Sequence, residues 1–184
     1  MSLSERRKSF SGPPTAPPTR LVLMLREAVW LASVALAVYV ALILFTYDPG
    51  DPGWSHAASS ATVRNWGGAF GAWSADLLLH VFGFSAHWFI VFTGYLVWWG
   101  YRRLESVGLT ERRPLFLIGS GFFVMLLASA ALERLRLHGV HFSLPDAPGG
   151  IAGAVIGDML AQAFGFTGAT LFLLALFGVG FSLF

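Results

Sequence analysis

The sequence predicts an all-α membrane protein. It should have four transmembrane helices built from two same-topology repeats, each with a short Gly-rich interfacial helix on the outer side, and with both chain ends in the cytoplasm. Three observations predict this. The chain of 184 residues is 55% hydrophobic and only 12% charged, where a soluble domain averages about 25% charged, and its mean hydropathy is +0.66. Its apolar runs are long enough to cross a bilayer. One Gly-rich segment of 18 residues occurs twice.

The first 25 residues read as a cytoplasmic tail. Arg6, Arg7 and Lys8 precede "SGPPTAPPTR" at 11–20, a Pro-rich stretch with no apolar periodicity that should stay extended or disordered. A span follows at about 27–46, of which Ala28 to Phe45 holds 18 residues without a charge. A bilayer core of about 30 Å needs about 20 such residues in a helix. The run is too long for a signal-peptide core and lacks a small-residue cleavage site, so it reads as an uncleaved anchor.

That run stops at "FTYDPGDPGWSH". Pro49 and Pro52 bias Asp48 and Asp51 away from helix, and Tyr47 and Trp54 bracket a headgroup layer. The corner Tyr47, Asp48, Pro49, Asp51, Pro52, Trp54 and Ser55 is a candidate partner-binding or structural surface. A short helix is expected near 69–81, then a bend at "FGF" and a span at about 84–101, because Gly67 to Tyr101 is too long for one crossing. The third span falls at about 114–132, a second short helix near 151–163, and the fourth span at about 166–184.

The repeat ties these together. "GGAFGAWSADLLLHVFGF" at 67–84 and "GGIAGAVIGDMLAQAFGF" at 149–166 match at nine of 18 positions at an offset of 82. Both copies follow an outer loop with Asp and Pro and precede a span, so the units share one topology. Orientation follows from charge. Nine of the 12 Lys/Arg lie before the first span or in the 102–113 loop, and three (Arg64, Arg134, Arg136) in the other two loops. Positive residues concentrate in short cytoplasmic loops, so the corner faces outward.

Candidate functional residues are few. Asp76 and Asp158 occupy equivalent repeat positions, with His80 one turn beyond Asp76. Acids within a membrane domain suggest a proton relay or cation site. The competing reading is that each satisfies an Arg, a helix end or nearby backbone. Gly67, Gly68, Gly71, Gly149, Gly150, Gly153 and Gly157 suit close helix packing, within the chain or between subunits. His138 and His141 form H-x-x-H without a convincing third metal ligand. His87 reads as a satisfied interior histidine. The sequence has no Cys, no phosphate-binding loop, no H-E-x-x-H and no G-x-S-x-G. No cofactor and no catalytic residue are therefore expected.

The corner, together with "VRNWGGAFGAWSADLLLHVFGF" and "LPDAPGGIAGAVIGDMLAQAFGFTGA", resembles the N-terminal membrane domain of FtsK/SpoIIIE-type DNA translocases over residues 26 to 184. The resemblance implies a membrane anchor and assembly domain of a bacterial septal protein, located in the inner membrane at the division site. In that family a linker and a RecA-like ATPase follow, forming a hexameric ring that pumps DNA. It implies self-association and division-protein partners, with DNA reached only through a motor lying outside this sequence. The unflanked end at Phe184 also suggests a fragment. The alternative is a small polytopic channel or transporter using Asp76, Asp158 and His80.

Overall fold

The computed structural model describes residues 20–57, 62–105, 115–137, 145 and 147–184, and all regular structure among them is helical. The helices are α1 (Arg20–Phe45), α2 (Gly68–Phe82), α3 (Trp88–Glu105), α4 (Leu115–Arg136) and α5 (Gly150–Leu183), with a 3-10 turn (Gly83–His87) joining α2 to α3. Four stretches are long and apolar enough to cross a membrane: Arg20–Phe45, Gly68–Arg102, Phe116–Arg136 and Gly150–Leu183.

Several boundaries differ from the sequence reading. Helix α1 begins at Arg20, not after residue 25. Leu21 to Leu25 are good helix formers continuous with the span, and long basic side chains can lie along an apolar helix with their charges in water. Helix α4 runs to Arg136, past the expected end at 132, so Arg134 and Arg136 belong to its last turn and not to a loop. The extension is possible because Glu133 and Arg134 find partners within the protein and Leu135 is buried. Regular helix resumes at Trp88 rather than at 84, because the 3-10 turn takes the first residues after the bend. Within α5 the non-helical torsions of Gly165 (φ 68°, ψ 169°) part a shorter helix before it from a longer one after it, and the two meet at a kink. His138, His141 and the basic residues at 6–8 and 112–113 lie outside the described residues.

Helix α4 is the hub and packs along α5, while α1 packs along α3 and α2 bridges to α5. One core cluster joins Ala128, Ala131 and Leu135 of α4 to Leu160, Ala169 and Leu173 of α5. A second joins Ile43 and Leu44 to Ala75, Leu79 and Ala86. A third is aromatic: Phe92 stacks on Phe122 with centroids 4.3 Å apart, beside Phe89 and Phe184. On α1 only Ile43 and Leu44 are buried. Its remaining apolar surface, such as Leu21, Val29 and Leu36, is exposed as lipid-facing residues must be.

Glycines set two of these approaches. A side chain at Gly153 would strike the Ala130 carbonyl, and one at Gly157 would press on the Ala131 carbonyl and Arg134, so both hold α5 close to α4. Gly67 and Gly71 abut Ile43 and Asn65, which seats α2 on α1. Gly68 faces open space and packs against nothing.

Candidate functional site

The candidate surface lies at the end of the bundle where α1 stops. Two polar assemblies lie there. The first is the corner itself. A helix end leaves carbonyls without partners, and here a distant side chain supplies them. Asn65 Nδ2 donates to the Ile43 carbonyl (2.9 Å) and the Thr46 carbonyl (3.3 Å). Its Oδ1 accepts from the Gly67 N–H at 2.8 Å. Thr46 Oγ1 donates to the Leu42 carbonyl (2.7 Å) and accepts from the Trp66 N–H (3.1 Å). The two strands of the loop are thereby tied across the end of α1.

Asp51 pins the returning strand. It is 2% exposed and accepts from the backbone N–H groups of Arg64 (2.8 Å) and Asn65 (2.7 Å). Asp48 folds the first Asp-Pro pair, accepting from Gly50 N–H at 2.8 Å and from the Arg64 guanidinium at 3.0 Å. These contacts, the Gly50 N–H first and then Arg64, hold the Asp48 carboxyl below its ordinary value. Both acids thus organise the loop's own backbone. Pro49 and Pro52 supply no N–H, which leaves these carboxylates free for the residues around them.

Asp76 closes the corner from α2. It is fully buried. Its Oδ1 accepts from the Tyr47 hydroxyl at 3.0 Å and its Oδ2 from the Ser55 N–H at 2.7 Å. His56 Nδ1 lies 3.7 Å from Oδ1 and shares a hydrogen bond with Ser55 Oγ. Burial, and then the Asp76 charge, push the Tyr47 phenol well above its ordinary range. His80 forms no hydrogen bond with Asp76 among the described residues. Its ring meets Trp54 edge-on at 5.2 Å, and its Nδ1 is buried without a partner. Asp158 stands elsewhere, half-exposed on α5, in a two-bonded pair with Arg134 (3.2 and 3.3 Å). The structure therefore joins Asp76 to the corner and keeps Asp158 apart from both Asp76 and His80.

The second assembly has no counterpart in the sequence reading. Glu133, 4% exposed near the end of α4, accepts from Phe84 N–H, Ser85 N–H and Ser85 Oγ, each at 2.9 Å. Ser85 Oγ also meets Ser129 Oγ at 2.9 Å, and Trp88 Nε1 donates to Ser129 Oγ at 3.0 Å. A carboxylate on the first N–H groups of a helical turn satisfies orphan donors and complements the helix dipole. The one signal in the sequence is an acid directly after an apolar run, 49 residues from the "FGF" bend it clamps. His87, half-buried, hydrogen-bonds the Phe84 carbonyl at 2.9 Å.

Trp54, Trp66 and Trp73 are exposed around this end, and Trp98 and Tyr101 near the other. Arg102 lies 4.9 Å from the Trp98 ring centroid. No group of three or more His, Asp or Glu positioned to hold a metal ion occurs among the described residues.

A family model described as the 4TM region of DNA translocase FtsK/SpoIIIE matches residues 23–184. The chain belongs to this family. It is 45% identical to a DNA translocase FtsK 2 of Ralstonia nicotianae, over 93% of this chain and 22% of that protein. It is 36% identical to the DNA translocase FtsK of Pseudomonas syringae pv. syringae, over 97% and 22%, and 35% identical to that of Shewanella oneidensis, over 80% and 16%. The chain thus spans about a fifth of the length of these FtsK relatives. No solved structure matches it. The FtsK four-span region is a multi-pass membrane protein, and its spans here are the four long apolar stretches.

Proposed function

We propose that this chain is the membrane anchor and septal assembly domain of a DNA translocase that couples chromosome segregation to cell division. The observation that carries the reading is the family match over residues 23–184 together with four membrane-crossing stretches. ATP hydrolysis and DNA contact belong to the portion of the relatives that this chain does not cover. The anchor self-associates, as a hexamer, and engages division proteins through the rigid Tyr47–Ser55 corner.

The two-unit, in–in architecture is part of this proposal. Its support is in the backbone. Gly68 and Gly150 both have positive φ (68° and 57°), and so do Gly83 and Gly165 (61° and 68°). Each pair is separated by the offset at which the sequence repeats. The chain makes equivalent unusual torsions at equivalent places, which two copies of one unit require. The three basic residues at the corner end against nine elsewhere support an outward corner.

Imaging tests the reading. Residues 1–184, tagged at the N-terminus and produced in dividing bacteria, should concentrate as a band at mid-cell. Uniform labelling of the whole membrane would show that the chain anchors but does not find the septum.

A further inference from the structure

A groove of about 470 Å³ opens beside Glu133, between α4, α5 and the 3-10 turn. Leu132 and Leu174 give it an apolar wall, Ser129 and Thr170 add hydroxyls, and Glu133 and Arg136 add opposite charges. Phe116–Arg136 is about 31 Å long at 1.5 Å per residue. That is the thickness of a hydrocarbon core, so Arg136 sits at headgroup depth.

Among the described residues neither charge has an ion-pair partner. Glu133 is held by neutral donors only, two backbone N–H groups and a hydroxyl. No Lys or Arg lies within ion-pair distance of it among the described residues, and neighbouring Arg134 is engaged by Asp158. A buried carboxylate without a counter-ion is costly, and a cation entering the groove would relieve it. Arg136 lies over the Phe166 ring, 4.5 Å from its centroid. A guanidinium held over a ring keeps its planar fork of N–H donors for a phosphate. Residues three apart share a helix face, so both charges address one small, zwitterionic molecule.

We propose that this groove binds one aminophospholipid. Its phosphate sits on Arg136, its primary ammonium faces Glu133 and the Ser129 hydroxyl, and an acyl chain runs along Leu132 and Leu174. A primary ammonium offers N–H donors to a carboxylate, which a quaternary choline cannot. An anionic glycerol headgroup brings no cation to Glu133.

The test uses the chain in nanodiscs of equal phosphatidylethanolamine, phosphatidylglycerol and phosphatidylcholine, with the lipids retained after extraction counted by native mass spectrometry. One phosphatidylethanolamine per chain is expected, at about tenfold preference, the worth of one charge-assisted contact. Arg136→Gln and Leu174→Trp should each lower its retention about tenfold without changing helicity by circular dichroism. Equal retention of the three lipids, or unchanged retention in both variants, would overturn the proposal.

Discussion

Asp76 holds two parts of the corner at once, the Tyr47 hydroxyl and the Ser55 N–H. Both bonds are buried and charge-assisted, so Asp76→Asn should cost about 2–3 kcal/mol and expose residues 47–56 to protease. Asp158→Asn, at a half-exposed pair, should cost less than about 1 kcal/mol. Thermal unfolding in detergent compares them, and equal losses would contradict the difference in environment. Asp48 gives the corner a pH dependence. Its folded pKa is depressed from 3.8, so its contribution is complete above that value and disappears as pH falls through the lower folded one. Acidification below about pH 4 should therefore loosen the loop, read from the fluorescence of its tryptophans. In Asp48→Asn this acid transition should vanish. At this scale the sequence singled out Asp48, Asp51 and Asp76 but could not say what they hold. Asn65 and Glu133, whose partners lie far along the chain, carried no local pattern to mark them.

At the level of elements, the same "FGF" triplet interrupts the helix in both copies. After α2 a 3-10 turn begins at Gly83, whereas beyond Gly165 regular helix resumes at once. The surroundings differ as well. Around Gly83 the Glu133 carboxylate clamps the freed N–H groups, and the Gly149 backbone presses close. Around Gly165 there is open space. Gly83→Ala combines positive φ with a clash and should destabilise by about 3 kcal/mol or more. Gly165→Ala meets only the torsional penalty of its extended positive-φ backbone, about 1–3 kcal/mol. Chemical denaturation checks the order, and a costlier Gly165 variant would contradict it. The sequence showed that both copies bend at this glycine. What surrounds each bend, a carboxylate from another helix at Gly83 and open space at Gly165, is not encoded in a local motif.

Across the whole molecule, the long apolar runs by themselves make the helical membrane class legible, since only helices of this length satisfy their own backbone while facing lipid. Helix ends were legible only to within a few residues, because the polar residues beyond the runs are recruited by tertiary contacts, as Glu133 and Arg134 are. The proposed anchor presents the corner outside the cell membrane and returns residue 184 to the cytoplasmic side. The chain has no Cys, so single cysteines report sidedness cleanly. In intact cells a membrane-impermeant maleimide should label Thr62→Cys and leave Ser106→Cys unlabelled until the membrane is opened. Labelling of Ser106→Cys with Thr62→Cys protected would contradict the account.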